Sequence, residues 1–435
     1  MSTSDDATTT TEVGNYFIAN YPPFSFWTGG HVAALEERLA GPPPGTPLGV
    51  YVHLPFCRQR CDFCYFKVYT DRNAKEIRRY LAAVLAEAET AAARPYLEGR
   101  APRFVYFGGG TPSYLSVAQL ETLFDGLRAR FSFDAAEEVT FECEPGTLQE
   151  AKLEWLRGAG VTRLSLGVES FSPDLLERNN RAHRAKEIHA AYEAARRLGF
   201  PQINVDLIAG MVGETDATWE RSVEETIALR PESVTIYQME VPYNTTLSAR
   251  AGDGGGVPVA DWETKRRWTD EAFRALEGAG YSIGSAYTAK VDDDVRFLYR
   301  DALWTGADLL GLGVSSFSHL GGIHAQNEHR IEPYVERVEA GDLPVLRALP
   351  LSDEERLIRE FVLQLKLGVL ESAPFAEKFG VDVAARFAAP LAAHEAAGLL
   401  RVEDERIVLS REGLLRVDSL LPEFFLERHR GARYA

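Results

Sequence analysis

The stretch Gly49-Val-Tyr-Val-His-Leu-Pro-Phe-Cys57-Arg-Gln-Arg-Cys61-Asp-Phe-Cys64 decides how the rest of the chain is read. A short run rich in β-branched and aromatic residues leads into three cysteines spaced C-x3-C-x2-C. Thiolates this close can hold three irons of a [4Fe–4S] cluster, for which cysteine is the usual ligand. The remaining iron keeps an open position for chemistry, much as a catalytic zinc does. Zinc itself is the rival occupant, but it usually takes four ligands in paired arrangements, and no partner pair is evident.

Outward from the triplet, short apolar runs alternate with amphipathic segments. Strands are expected at 49–54, 104–107, 139–143, 163–168, 203–208 and 234–239. Asn73 and Glu76 form a capping pair for a helix with Ile77, Leu81, Val84, Leu85 and Ala88 on one face. Trp219, Val223 and Ile227 mark another. Six β-α units in a row imply a parallel sheet with right-handed crossovers, so the fold class is α/β, a partial or complete parallel β/α barrel. Chemistry in such barrels gathers at the C-terminal strand ends.

The strand ends are unusual. Gly108, Gly109, Gly110 and Thr111 follow the second strand, where a glycine run makes a tight turn or lets backbone N–H groups approach a ligand. Glu142 ends the third, with Glu144 beyond it; alternation turns the Cys143 between them away from the cavity. Glu169 ends the fourth, Arg181 and His183 lie in the following loop, and Asp206 ends the fifth. Carboxylates suit ribose hydroxyls and ammonium groups, and arginine suits a carboxylate. Together they describe a site for a polar small molecule.

The chain has 435 residues and a formal net charge of −17. That balance argues against a nucleic-acid or anionic-membrane surface. It suits an acidic docking face for a reductase. Four cysteines, three of them clustered, do not make a disulfide framework, and a reducing cytoplasm is the expected setting. No signal peptide and no transmembrane helix are expected. Nothing demands an oligomer, and a monomer is expected.

A disordered tail is expected to about Val13, then an aromatic segment from Tyr16 to Trp27 that docks onto the body as a strap or as a lid over the active-site mouth. Gly41 to Gly45 reads as a linker and Gly252 to Gly256 as a flexible loop. Ser352 to Glu355 is a capping box, and Gly398 to Leu409 a hairpin after helices, resembling a winged helix.

These strings resemble the radical S-adenosylmethionine (SAM) enzymes, specifically the oxygen-independent coproporphyrinogen III oxidase (HemN-type) group. The resemblance rests on Tyr51-Val-His-Leu-Pro-Phe-Cys57, the triplet, Tyr106 to Ser113, Leu164 to Phe171, Arg181-Ala-His183, Asp206 to Gly210 and Gly311 to Gly313. It implies three regions: 1–45 as tail and docking segment, 46–290 as the radical SAM barrel, and 291–435 as a C-terminal HemN-type domain. It implies that Cys57, Cys61 and Cys64 ligate the cluster. Tyr51, Gly108 to Thr111, Glu142, Arg181 and Asp206 would hold SAM, with Glu169 and Tyr51 as candidate catalytic residues. Group members often bind a second SAM. An electron donor such as flavodoxin or ferredoxin is implied, with a small molecule as substrate.

Three departures bear on the reaction. The decarboxylating oxidases typically carry a fourth cysteine where this chain has Phe66. The heme-chaperone branch shares an aromatic residue there, yet usually has Gln at the position of Glu169 and Gly-Leu-Pro-Gly where this chain has Gly210-Met-Val-Gly213. These features resemble the natural-product methylases and cyclopropanases. One-carbon transfer to an unsaturated carbon is therefore expected, against coproporphyrinogen oxidation and heme delivery. Under heme delivery, His53 and His183 are the candidate ligands, and both also fit packing roles.

Overall fold

The computed structural model describes residues 17–242, 245–252 and 259–432. The expected N-terminal tail and most of the loop at 252–256 lie outside them. The first six strands are β1 (Leu48–Leu54), β2 (Phe104–Gly109), β3 (Glu138–Cys143), β4 (Arg163–Glu169), β5 (Gln202–Ala209) and β6 (Ser233–Gln238). All five neighbouring pairs are parallel and in chain order, so the expected α/β class is observed. The sheet is an open, partial barrel rather than a closed one. Beyond β6 it continues through β8 (Thr288–Lys290) to β7 (Ser282–Ile283), and on the β1 side through β9 (Asp308–Leu312), β10 (Phe317–Leu320), β11 (Ile323–Asn327) and β12 (Val345–Pro350).

The strands alternate strictly between two environments. Val50, Val52, Leu54, Val105, Phe107, Val139, Phe141, Cys143, Leu164 and Leu166 point into one apolar core with the covering helices. In that core Phe107 stacks on Phe124 at 4.5 Å and lies 5.5 Å from Phe141. Cys143 belongs here, 4% exposed. The residues between them face the concave side and are polar or aromatic. The outer layer includes the helix Ala74–Ala92, capped by Asn73 and Glu76 as the spacing predicts, and the helix Asp216–Leu229, capped by Thr215.

A second core belongs to the C-terminal region. Leu357, Ile358, Phe361, Val362 and Leu365 of the helix Asp353–Leu365 pack with Phe375, Phe387, Leu400, Ile407 and Phe424. A three-stranded antiparallel sheet, β13 (Val369–Glu371), β14 (Leu400–Val402) and β15 (Arg406–Leu409), lies beside it. The division expected at 290/291 does not coincide with strand pairing. Residues 308–350 contribute β9 to β12 to the main sheet, with β9 parallel to β1. β10, β11 and β12 pair antiparallel with their chain neighbours and join the main sheet through β9, whose partner β1 lies far off in sequence, so local pattern does not reveal where they join.

The aromatic segment is a strap. Tyr21 is fully buried in the C-terminal core, and its hydroxyl meets the Leu426 N–H at 3.2 Å and His429 Nδ1 at 2.8 Å. Trp27 stacks on His324 of β11 at 4.9 Å, and Thr28 bridges Ala348 of β12. Lys366 Nζ donates to the Ile18 carbonyl at 2.6 Å. One segment thus ties the main sheet to the C-terminal core. No helix among the described residues is long and apolar enough to cross a membrane.

Candidate active site at the concave face

Strand register decides which side chains meet. Tyr51 pairs with Tyr106, Tyr106 with Thr140, Glu142 with Ser165, Gly167 with Asp206, and Asp206 with Thr235. All lie on the concave face, where they form a continuous polar network. Tyr106 Oη donates to Glu142 Oε1 at 2.6 Å, and the Gly109 N–H donates to Oε2 at 3.0 Å. Ser165 and Asn204 donate to the two oxygens of Asp206 at 2.9 and 2.8 Å. Tyr51 Oη meets His53 Nδ1 at 3.0 Å, and its ring stacks on Tyr106 at 5.8 Å.

These carboxylates are held where ionisation is costly. Burial pushes Glu142 up to about 7, despite its two donors, and Glu169 up to about 7, despite the nearby Arg181. Burial raises Asp206 too. Mutual repulsion adds to the shift at Glu142 and Glu169. Glu169 also sits at φ +64°, in the left-handed region, at an irregularity between Gly167 and Glu169. A non-glycine residue there costs about 1–3 kcal/mol, a strain typical of functional sites.

The triplet lies on the loop after β1. The Thr111 hydroxyl donates to Cys57 Sγ at 3.3 Å. Arg181 Nη1 donates to Cys61 Sγ at 3.2 Å, while Nη2 donates to the Gly167 carbonyl at 2.6 Å and lies 3.3 Å from Glu169. Arg181 therefore joins the cysteine loop to the end of β4. Its Nε is buried with no partner. The Cys64 N–H donates to the Cys61 carbonyl at 3.1 Å, which turns the chain between these thiols. Burial pushes Cys57 up to about 12 and Cys64 up to about 11, and each thiol is raised further by its neighbours.

The glycine run is sterically required. Gly109 has φ +114°, and a Cβ there would stand 2.6 Å from His53. A Cβ on Gly110 would meet the backbone of Leu54 and Phe56 at 2.9 Å. The run presses onto the loop that carries Cys57, and β2 extends through Gly109 rather than ending at Phe107.

Several wall residues carry no sequence signal of their own. Arg163 is 2% exposed, stacks over Phe297 at 4.1 Å, and has two nitrogens without partners. Tyr106 and Tyr299 pack at 4.4 Å. Tyr299 and Phe297 come from beyond the six-strand pattern, so only tertiary structure brings them in. For Arg163 and Tyr106, period-two alternation back from Gly167 on β4 and Gly108 on β2 is the signal that could have found them.

The histidines are not open ligands. Burial pushes His53 down to about 4, and its Nδ1 is engaged with Tyr51. His183 is 1% exposed, with Nε2 3.2 Å from the Val168 carbonyl. Both are engaged in packing contacts, the second of the two roles expected for them. Met211 is fully buried against Ile208, Met239, Val241 and Leu247. Its departure from the family string is taken up by packing. Phe66 is 42% exposed, with its ring 4.4 Å from Tyr65.

An open β/α sheet with a cysteine triplet beyond its first strand defines a radical-generating enzyme of the SAM-dependent class. The radical SAM superfamily model matches residues 51–226, and the HemN C-terminal domain model matches residues 351–416. The oxygen-independent coproporphyrinogen III oxidase of Pseudomonas aeruginosa is 30% identical over 86% of this chain and 85% of its own length. The heme chaperone HemW of Mycobacterium tuberculosis is 32% identical over 89% of this chain and 97% of its own length. The solved structure of coproporphyrinogen III oxidase (HemN) from Escherichia coli superposes with a TM-score of 0.82 at 26% identity, covering 94% of this chain and 96% of that one. The chain belongs to the radical SAM superfamily, in the family of HemN-type coproporphyrinogen oxidases and HemW proteins.

Membership implies a [4Fe–4S] cluster, SAM, a small-molecule substrate and a reductant. The residues present fit the cluster. Two of the three sulfurs already accept a hydrogen bond, from Thr111 and Arg181, the kind of donor contact that supports a cluster's cysteine ligands. Among the described residues no three His, Cys, Asp or Glu side chains are close enough to grip one metal ion. A cluster takes one thiolate per iron and so spaces its ligands more widely. Cys61→Ala is expected to abolish the visible absorbance that appears on anaerobic reconstitution with iron and sulfide, without loss of the folded far-ultraviolet spectrum. An unchanged visible spectrum would remove the cluster from this loop.

Proposed function

We propose that Cys57, Cys61 and Cys64 hold the cluster and that Tyr51, Gly108, Gly109, Gly110, Thr111, Glu142, Arg181 and Asp206 hold SAM beside it. When bound, these groups supply one-electron cleavage of the sulfonium and a 5′-deoxyadenosyl radical that abstracts hydrogen from the substrate. The protein's part is orientation and exclusion of water. The carboxylates on the wall suit a ligand that brings an ammonium and a sulfonium charge, and Arg181 suits its carboxylate. Glu169, strained and next to Arg181, stands where it can accept a proton or a hydroxyl hydrogen bond.

For the reaction, we infer hydrogen abstraction in the manner of the oxygen-independent coproporphyrinogen III oxidases, after which the substrate radical gives up carbon dioxide and passes its remaining electron to a one-electron acceptor. The observation that carries this reading is the TM-score of 0.82 with Escherichia coli HemN over nearly the whole of both chains. Heme handling is the second reading, favoured by Phe66 at the fourth-thiol position and by 32% identity over 97% of HemW. Under it, iron ligands other than His53 and His183 are needed. One-carbon transfer, expected from Phe66, Glu169 and Met211-Val212, has no counterpart in the relatives above, and Met211 is taken up by packing.

Two experiments test this assignment. The reconstituted protein, supplied with dithionite, SAM and coproporphyrinogen III, is expected to release carbon dioxide together with 5′-deoxyadenosine. Stable heme uptake with negligible SAM cleavage would favour the second reading, and S-adenosylhomocysteine alongside 5′-deoxyadenosine would restore one-carbon transfer. Calorimetric SAM affinity should depend on pH. Glu142 and Glu169 are raised to about 7 in the free protein, and a cationic ligand prefers them ionised, so binding releases protons and tightens as pH rises. Between pH 6 and pH 8 the gain is about 10-fold per carboxylate that ionises. Glu142→Gln should flatten the profile, and a flat profile in the unaltered protein would contradict this role.

A further inference from the structure

The surface above the cysteine triplet has the opposite sign to the molecule as a whole. The chain carries a formal charge of −17. Residues 57–68 nevertheless hold three cations, Arg58, Arg60 and Lys67, against one carboxylate, Asp62, which is 5% exposed. Residues 178–186 hold four cations, Arg178, Arg181, Arg184 and Lys186, and no carboxylate. Glu177 and Glu187 flank that second segment. Arg58, Arg60, Lys67, Arg178, Arg184 and Lys186 are all exposed.

The two segments are one surface because they grip each other. The Asp62 N–H donates to the Asn179 carbonyl at 3.2 Å, and Asn180 Nδ2 donates to the Arg60 carbonyl at 2.8 Å. Arg58 donates to the Ala182 carbonyl and lies 3.2 Å from Glu144. Arg181 passes beneath to Cys61 Sγ. Arg58 and Arg60 adjoin ligand cysteines, Lys67 lies three residues past Cys64, and Arg184 three past Arg181. The ridge is therefore built from the chain that surrounds the sulfurs. Arg58, Arg60 and Arg184 each have a partner, in Glu144, the Cys64 carbonyl and Glu177, yet all three side chains, with Lys67, Arg178 and Lys186, stay exposed, so the ridge keeps more cations than carboxylates.

We propose that this ridge is the docking surface for an acidic one-electron carrier protein, of the flavodoxin or ferredoxin kind. A local positive field in a negative molecule both steers and orients such a carrier, since the rest of the surface repels it. This replaces the acidic docking face expected from net charge alone. In the transfer, one electron leaves the reduced carrier, which is oxidised by one equivalent, and enters the cluster, which is reduced by one; no covalent bond forms or breaks. The proposal rests on the radical SAM assignment and is independent of which substrate is used.

The test uses the reconstituted holoprotein with a flavodoxin and, separately, a [2Fe–2S] ferredoxin. Carrier binding is measured by calorimetry, and cluster reduction by stopped-flow absorbance. Binding and rate should fall steeply as salt rises. The variant Lys67→Glu/Arg184→Glu/Lys186→Glu should lose about 10-fold or more in association rate. Its SAM cleavage with dithionite, which needs no docking, should equal that of the unaltered protein. Arg401→Glu, on β14 in the C-terminal sheet, should bind carriers normally. Carrier binding unchanged in the triple variant, or equally weakened by Arg401→Glu, would overturn the proposal. If dithionite also fails with the unaltered protein, the radical assignment fails instead, and the calorimetric arm still tests the ridge.

Discussion

Side-chain alternation along six parallel strands is the constraint on which this structure depends. Each strand has one face sealed against helices, and only apolar residues fit there without unpaired polar groups. Its other face is then free to differ. Here it carries Tyr51, Tyr106, Glu142, Ser165, Asn204 and Asp206, hydrogen-bonded across neighbouring strands. A slip of one residue in any strand would move carboxylates into the core and leucines into the wall. The apolar core and the polar site are therefore fixed by the same register.

Two devices connect that wall to the cysteine loop. The glycine run lets β2 approach the loop closely enough for Thr111 to reach Cys57 Sγ. Arg181 spans from Cys61 Sγ to the strained end of β4 at Glu169. The wall as it stands is charge-frustrated: Glu142 and Glu169 are raised to about 7 by burial and repel one another. A cationic ligand relieves that repulsion, which is why the proposed SAM site is placed on this wall.

Much of the fold was legible because its signals are local. The six central strands fall within two residues of their expected bounds, and the caps at Asn73 and Ser352 form as spacing predicts. The concave-face residues were legible wherever a conspicuous carboxylate or glycine marked a strand end. Tyr299 and Phe297 were not, because an isolated aromatic residue beyond the six-strand pattern carries no signal until the wall assembles. The strands β9 to β12 were likewise hidden, since they join the main sheet through β9, whose partner β1 lies far away in sequence. Net charge is silent on local composition for a related reason: it averages over segments such as 57–68 and 178–186, where cations outnumber carboxylates. The substrate half of the reaction was the least legible, because Phe66 and Glu169 mark a departure without naming what replaces it.

The central claim is that the triplet and the concave wall form one site, with SAM chelated at the cluster's open iron. The most direct measurement is the electron paramagnetic resonance spectrum of the reduced, reconstituted protein with and without SAM. This account predicts that SAM shifts the g-values of the cluster signal, since it adds ligands to one iron. A spectrum indifferent to saturating SAM would contradict it.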